Sequence, residues 1–439
     1  MAFVSDDSCE CLLSDLDIFE VPPTQTSIQQ AAWLEYLPIT SIHGTAPMEF
    51  EIVGSGQDYI DLQNVLLYVR AKITQNNGND LGPDSTAAPV NLFLHSMFSQ
   101  IDVSLNGTMI SSSTSTYPYR AMLETLLSYG SDAKKSQLSA ELFYKDDGGR
   151  MDETIIDAVG ARHPNSGLQQ RRAFARQSVE FDMIGRPHCD LFFQERYLLN
   201  EVNVKVKLVR SSTNFCLMGA NSKLVITHAA MYVRKVRLSS AVFLAHAKAL
   251  ETSNAKYPIK RVVCKALSIP NNYMNSNHEK LFSGQLPTRL VIGLVDNRAF
   301  NGDRQRNPFN FQHFNLSEIA LYLDGQQEYA LKPLQVDFDN SLYIRAYNAL
   351  FAGTCKLNQD EGNWICRTEF ANGYALFAYD LTANLADDSH FNLVKTGSVR
   401  LALKFSAALA ATVTVICYAE FDNLLEIDKH RNVVTDFGV

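Results

Sequence analysis

The feature that most constrains this chain is an internal repeat of one strand and the turn that follows it. The segment 95–107 reads HSMFSQIDVSLNG and aligns without a gap with the segment 313–325, HFNLSEIALYLDG, at an offset of 313 − 95 = 218 residues. Five of the thirteen positions are identical, and Asn-Gly is replaced by Asp-Gly. Both dipeptides favour a type I′ turn, which requires positive φ at its two central residues. The repeat predicts two copies of one hairpin.

The elements that follow each hairpin repeat as well. A short helix is predicted after each turn: one contains Arg120-Ala121 and ends at Gly130, and the other contains Arg345-Ala346 and ends at Gly353. Near the end of each half, segments 202–208 and 399–405 share one alternation of apolar and polar residues. β-Proteins reuse similar strands by chance, but three matched elements in the same order favour a duplicated domain. We therefore expect two copies of one all-β domain.

Alternation with a period of two residues dominates both halves, which is typical of half-buried strands. It is clearest at Met48–Ile52, at 65–73 and, in the second half, at 261–269 and 411–421. The polar stretch 131–177 has little periodicity and is predicted to be an extended loop. Residues 241–255 have a helical pattern, and Tyr257-Pro258 interrupts it. The predicted organisation is an N-terminal arm 1–45, a first domain 46–240, a helical linker 241–258, a second domain 259–425 and a tail 426–439.

Length and charge narrow the possible functions. A chain of 439 residues is too long for one ordinary core, which favours two domains. The formal net charge is −8, whereas a protein that coats nucleic acid usually carries a strong positive charge. No apolar run is long enough for a membrane span, and the acidic start does not resemble a secretory signal. We expect no strong direct nucleic-acid binding and no membrane span.

Candidate sites are few, and each has a simpler structural interpretation. The ten histidines form no HExxH, His-x-His or Cys/His pattern with metal-ligand spacing. The repeated His95 and His313 are better explained as packed or hydrogen-bonded strand residues. Ser55 lacks the full nucleophile-elbow pattern, and Asp58 with Asp61 fits solvated strand ends. We therefore expect no catalytic, cofactor-binding or metal-binding residues and no cofactor.

Other polar features leave alternatives open. The arginines of two predicted loops could contact a neighbouring chain, contact DNA or form a solvated face; they are Arg162, Arg171, Arg172, Arg176, Arg298, Arg304 and Arg306. The eight scattered cysteines fit reduced thiols, although Cys355 and Cys366 could pair under oxidising conditions. The arm could be a disordered tail or a strap that becomes ordered on assembly, and its apolar pairs, such as Ile18-Phe19 and Trp33-Leu34, favour the ordered strap.

Several short runs resemble a known family. These are DLDIF at 15–19, VPPTQTSI at 21–28, Trp33 followed by Glu35-Tyr36, and YIDL at 59–62. Together with the hairpin at Asn106-Gly107 and the helix that ends at Gly130, they resemble the major capsid proteins, which are hexon-like, of Polinton/Maverick elements and adintoviruses. The resemblance is clearest over about residues 12–130, and the remainder agrees in length and repeat structure.

The resemblance implies an all-β double jelly-roll fold: two eight-stranded antiparallel sandwiches in tandem with short helices in the loops. It also implies a non-enzymatic viral structural protein. Its partners would be itself, as a pseudo-hexagonal homotrimer tiling an icosahedral shell around double-stranded DNA, and penton or other minor capsid proteins. The expected location is the virion, with assembly in the host nucleus. The alternatives are a carbohydrate-binding tandem β-sandwich, an enzyme on that fold, or a host-genome copy of a capsid gene.

Overall fold

The computed structural model describes residues 7–111, 114–158, 160–324, 326–327, 332–385 and 390–435. Within these ranges the chain forms two β-sandwiches, one after the other, each built from two antiparallel sheets. The strands of the first half are β1 (Ile28–Tyr36), β2 (Met48–Ile52), β3 (Asp58–Gln75), β4 (Ala88–Pro89), β5 (Phe98–Leu105), β6 (Thr108–Met109), β7 (Phe181–Gly185), β8 (Val204–Arg210), β9 (Leu217–Met218) and β10 (Ser222–Leu238).

The second half contains a corresponding set of strands. Its strands are β11 (Ala255–Ile269), β12 (Asn275–Gln285), β13 (Arg289–Asp296), β14 (Leu316–Leu323), β15 (Gln326–Gln327), β16 (Leu334–Gln335), β17 (Leu376–Asp380), β18 (Thr396–Phe405), β19 (Val413–Ile427) and β20 (Val433–Thr435).

Short helices connect the strands. The α-helices are α1 (Phe93–Ser96), α2 (Tyr117–Ser128), α3 (Ser131–Lys135), α4 (Ser166–Phe174), α5 (Thr213–Cys216), α6 (Ser240–Leu250), α7 (Asn297–Asn301), α8 (Ile344–Ala352) and α9 (Arg367–Ala371). Single 3-10 turns lie at Ser14–Leu16, Gln137–Glu141, Arg176–Ser178 and Asp190–Phe193. In sequence, α6 separates the two sandwiches.

Both halves have the same sheet topology. In the first half the sheets have the strand orders β1-β10-β3-β7 and β2-β8-β5-β6. In the second half the orders are β11-β19-β13-β17 and β12-β18-β14-β15. If the eight main strands of each half are counted in chain order, both halves read 1-8-3-6 and 2-7-4-5. Two four-stranded sheets that share the strands in this way form a jelly roll. The chain is therefore an all-β double jelly roll, and the predicted fold class is confirmed.

Alternating apolar residues build the cores. On β3, the side chains of Val65, Leu67, Val69, Ala71 and Ile73 are fully buried, and the residues between them are partly exposed. Inward-facing residues of β2, β5 and β8 belong to the same apolar cluster. Burying one valine, leucine or isoleucine side chain stabilises a fold by about 1.5–3 kcal/mol relative to leaving it exposed. The period-two pattern thus determines which face of each sheet packs inward.

The predicted hairpin turn is present in the first half. Asn106 has a φ of 46° and Gly107 a φ of 86°, so both central residues adopt positive φ. The Asn106 side chain also accepts a hydrogen bond from the backbone N–H of Asn203, at 2.8 Å, which attaches the turn to the segment before β8. In the second half Asp324 has a φ of 50°, and Gly325 lies outside the described residues.

One predicted local feature is wrong. Residues 131–177 are not an extended loop, because they contain α3, α4 and the 3-10 turn Gln137–Glu141. These helices are too short and too polar to give a clear period in the sequence. The helix predicted over 241–255 corresponds to α6, which ends at Leu250, and Tyr257-Pro258 lies within β11, where Pro258 pairs with Leu424. Because β11 is at the edge of its sheet, the missing N–H of Pro258 costs no sheet hydrogen bond on its open side.

Buried polar contacts join the two halves. The ammonium group of Lys134 donates to the carbonyls of Leu126 and Asn363, each at 2.7 Å. The Tyr374 hydroxyl donates to the Asp146 carbonyl at 2.8 Å. Since buried polar groups are costly unless they are hydrogen-bonded, these contacts fix the packing of one half on the other.

Candidate assembly surfaces and the buried polar centre

The N-terminal arm exposes a run of large apolar side chains, and the resemblance seen in the sequence includes this region. We call residues 12–21 the apolar arm. Its exposed apolar residues are Leu12, Leu13, Leu16, Ile18, Phe19 and Val21, with exposed fractions from 61% to 91%. So many exposed large apolar side chains in one short segment make the apolar arm a candidate interaction surface. Residues 1–6 of the predicted arm lie outside the described residues.

The next part of the arm is an edge strand. Within the expected arm, β1 pairs antiparallel with β10 and forms one edge of its sheet. Its residues are exposed except at the two ends, and Trp33 is 51% exposed. An edge strand with free backbone groups and an exposed tryptophan is a natural place for contact with another chain. Sequence analysis did not predict this strand because its residues do not alternate in polarity.

The loop arginines have several different environments. Arg171 is fully buried, with its Nη2 atom 2.7 Å from Asp146 and its Nε atom 3.0 Å from the Pro89 carbonyl. Arg304 comes from the second half and donates to the Ser222 carbonyl of the first half at 2.6 Å. These two arginines connect distant segments within the chain, a role that the sequence analysis did not consider. Arg162, by contrast, is 65% exposed and pairs with Glu153.

The remaining loop arginines also have partners within the chain or lie at the surface. Arg172 donates to the Ser85 carbonyl at 2.7 Å. Arg298 and Arg306 both approach Asp296, at 3.9 and 2.9 Å, and Arg176 is exposed.

A buried polar centre lies where α2 meets the second half. Arg120 donates from Nε to Glu124 at 2.9 Å and from Nη2 to Asp190 at 2.5 Å. Asp190 also accepts the backbone N–H of Val262 on β11. Burial opposes the charge on Arg120, but Asp190 and Glu124 raise its pKa well above the usual range. Burial disfavours the charged Glu124 carboxylate, yet Arg120 and His188 lower its pKa to about 2. Arg120 and Glu124 are therefore charged, whereas burial raises the pKa of Asp190 above its usual value.

Two histidines and a glutamate meet beside this network. The Nε2 atom of His95 is 3.3 Å from Oε2 of Glu141, and the His95 and His188 rings are edge-on with centroids 4.6 Å apart. One possible ligand atom from each of His95, Glu141 and His188 lies within 4.8 Å of the others. Burial lowers the pKa of His95, although the neighbouring Glu141 acts in the opposite direction. Sequence reasoning missed this cluster because its members are 46 and 47 residues apart.

His313 is in a different environment from His95. It stacks on Phe338 with the ring centroids 4.0 Å apart, and its Nδ1 accepts the backbone N–H of Asn315 at 3.0 Å. His95 lies on α1, before the repeated strand, and is fully buried.

The remaining candidates have structural roles. Asp58 and Asp61 pair with Arg237 and Arg234 of β10, at 2.9 and 2.6 Å, so they are ion-paired to the neighbouring strand and do not form a carboxylate pair. Ser55 accepts a hydrogen bond from the Lys235 ammonium group at 3.3 Å. Cys355 and Cys366 do not form a disulfide bond with each other, and the Cys355 thiol lies 3.8 Å from the Asp380 carboxylate. Across the described residues, none of the helices combines the length and apolarity that crossing a bilayer requires.

Comparisons with known proteins define the class of fold. No family model matches the chain. Its sequence is 25% identical over 437 residues to an uncharacterized protein of Caenorhabditis elegans. The alignment covers 95% of this chain and 99% of that protein. Its structure is similar to a chain of the Sputnik virophage, with a TM-score of 0.65 and 12% identity over 100% of this chain and 94% of that one.

Two similar structures are named as major capsid proteins. The mavirus major capsid protein has a TM-score of 0.54 and 11% identity, over 99% of this chain and 97% of that one. The Faustovirus major capsid protein has a TM-score of 0.57 and 8% identity, over 94% of this chain and 92% of that one. The architecture of this chain is thus the double jelly roll found in viral major capsid proteins.

Proposed function

We propose that this chain is a major capsid protein, whose function is to form the shell of a virus or virus-like particle. The observation that carries the proposal is the end-to-end similarity of both jelly rolls to viral shell proteins, including the mavirus major capsid protein. The correspondence covers the two sandwiches, in the same order, and nearly the whole length of each protein. We assign the chain a structural role, with no catalytic or cofactor-binding residues.

The duplicated sandwich suits a particular assembly. Three copies of a chain with two similar sandwiches present six similar units around a three-fold axis, which approximates a hexagon. Hexagonal units tile the faces of an icosahedral shell, and other proteins are required at the five-fold vertices. We propose a homotrimer in such a shell around double-stranded DNA, with penton and other minor capsid proteins as partners.

The source of the protein is proposed from the sequence runs and from the relatives. The runs at 15–19, 21–28 and 59–62 resemble the capsid proteins of Polinton/Maverick elements and adintoviruses. The nearly full-length similarity to a nematode protein supports the proposal that such a capsid gene is carried in an animal genome. The net charge of −8 makes strong direct binding of the genome unfavourable. The proposed location is the virion, with assembly in the nucleus.

The chain divides, in this proposal, into an arm 1–45, jelly rolls at 46–240 and 259–425, a linker 241–258 and a tail 426–439. The apolar arm is proposed to bind a neighbouring copy in the shell, which would bury its exposed leucines and Phe19. Limited proteolysis tests this part: the arm should be cut rapidly in free protein and slowly in assembled particles. Equal rates in the two states would count against it.

The first experiment is to measure the mass of the purified protein by light scattering and to image the same fraction by negative stain. Three chains of 49.1 kDa give about 147 kDa, and a species of that mass with hexagonal outlines or closed shells is expected. A monomer that fails to assemble at any salt or protein concentration would contradict the proposal. If that monomer bound a glycan on an array, the carbohydrate-binding alternative would replace it.

A further inference from the structure

Two buried polar atoms at the edge of the first core have no hydrogen-bond partner. Among the described residues, Nε2 of His95 and Oε2 of Glu141 belong to this group. They lie 3.3 Å apart, but their geometry does not satisfy the angles of a hydrogen bond. A buried nitrogen and a buried carboxylate oxygen that lie 3.3 Å apart and have no hydrogen-bond partner require an explanation, because leaving such groups unsatisfied is costly.

A third donor completes the group. The Nδ1 atom of His188 lies 2.5 Å from Oε2 of Glu124, so its other ring nitrogen is left to bind elsewhere. Likewise, Nδ1 of His95 is 2.8 Å from the Tyr117 hydroxyl, which leaves Nε2 as the outward-pointing atom. Both imidazoles are therefore oriented by a hydrogen bond at the opposite nitrogen. Metal-binding histidines are oriented in this way, and a carboxylate is a frequent partner.

The supporting residues extend one layer further. Glu124 is itself held by Arg120 at 2.9 Å, which fixes the carboxylate that orients His188. Gly185 on β7 leaves room for the Glu141 carboxylate, because a Cβ atom there would lie 2.3 Å from Oε1 of Glu141. His188 and Glu124 also line a cleft of about 740 Å³ between the two halves. Oriented donors and available space are requirements of a metal site.

We propose that His95, His188 and Glu141 bind one Zn²⁺ ion. Two imidazoles and one carboxylate are a ligand set that zinc accepts, with a water molecule in the fourth position. Zinc–ligand bonds of about 2.0–2.1 Å in tetrahedral geometry place two ligand atoms about 3.3–3.4 Å apart. The separation of 3.3 Å between His95 and Glu141 already matches this value. The ion would tie together α1, the 3-10 turn Gln137–Glu141 and the segment after β7, and so stabilise the first jelly roll.

The test uses the full-length protein, stripped with a chelator and then incubated with ZnCl₂. After desalting, mass spectrometry of the metal content should find about one zinc per chain. Thermal denaturation with zinc at about one hundred times its dissociation constant should show a Tm about 3 °C higher than without zinc. Cobalt in place of zinc should give the strong visible absorption of a tetrahedral site. Absence of both retained zinc and a Tm shift would overturn the proposal in favour of a simple imidazole–carboxylate contact.

Variants locate the ion. Glu141→Gln and His95→Gln should each lower zinc retention at least tenfold, whereas His313→Gln should retain it. His313 is the matched control, because it is the repeat equivalent of His95 and lies against Phe338 instead. Retention that was unaffected by Glu141→Gln would place the zinc elsewhere and refute this site. If the variants do not fold, X-ray absorption of the zinc-loaded wild type must show two imidazole ligands, and a spectrum without imidazole would refute it equally.

Discussion

The two jelly rolls share one topology but differ in what lies at the ends of their sheets. His95 and His313 occupy the same position of the sequence repeat. His95 is fully buried beside Glu141 and His188, whereas His313 is partly exposed and stacks on Phe338. The strands that follow them, β5 and β14, occupy equivalent places in their sheets. Duplication has therefore kept the strand framework, while the side-chain environments at its ends have diverged.

The insertion between α2 and β7 accounts for much of this divergence. In the first half it supplies Glu141 to the histidine cluster, and it buries Arg171 against Asp146. It also provides Lys134 and the Asp146 carbonyl, both of which contact the second half. The comparison thus indicates that the sheets form the shared fold, whereas the insertion connects the two halves.

The largest expected effect comes from breaking the buried ion pair in this insertion. Arg171→Met leaves the Asp146 carboxylate buried without its cation, and we expect the free energy of unfolding to fall by about 3–5 kcal/mol. Arg162→Met is the matched control in the same insertion. Because Arg162 is 65% exposed, its replacement should change stability by about 0.5 kcal/mol or less. Urea denaturation of both variants measures the difference, and equal effects would contradict the structural role given to the insertion.

The next test compares identical residues at equivalent positions of the two halves. Ile101 and Ile319 are 5% and 0% exposed, and each contributes to its own core. Replacing either by alanine should cost about 2–5 kcal/mol, with the larger cost at Ile319. Because buried contacts join the halves, both variants should shift one shared unfolding transition in a calorimetric scan. Two separate transitions, each sensitive to only one variant, would show that the halves are stable independently.

A smaller effect is expected at the repeated turn. Gly107 has a φ of 86°, and Gly107→Ala should cost about 1–2 kcal/mol because a Cβ atom disfavours this conformation. Gly82→Ala is the control, since Gly82 has open space around its Cα and no positive φ. If the turn is repeated, Gly325→Ala should cost about as much as Gly107→Ala. A neutral result at Gly325, measured by the same denaturation, would limit the repeat to its strands.

Sequence reasoning predicted the parts of the fold that depend on local pattern. The alternation at 65–73 and the Asn106-Gly107 dipeptide gave a strand and a turn, because each feature is specified within a few residues. It did not predict β1, whose exposed residues show no alternation. It also missed the buried Arg171 and the cluster around His95, because these depend on contacts between segments distant in the chain. Polar contacts between distant segments produce no periodic pattern in the sequence.

Measured over a single pH unit, the smallest expected effect is a pH dependence at the contact between the halves. Burial, aided by Lys145 and Lys356, lowers the pKa of Lys134 from 10.5 to about 7. Above pH 10.5 the amine is neutral in both the folded and the unfolded state, so its burial costs little. As the pH falls from 10.5 to 7, the amine takes up a proton more readily in the unfolded state than in the folded state. The free energy of unfolding of the wild type therefore falls by up to about 1.4 kcal/mol per pH unit relative to that of Lys134→Met.

Buried thiols such as Cys189, whose pKa is raised to about 12, have the opposite effect on stability. The quantity to measure is therefore the difference in the free energy of unfolding between the wild type and Lys134→Met. Lys135→Met, at the exposed neighbouring position, should keep the wild-type slope, and an identical slope in Lys134→Met would show that this amine is not buried between the halves.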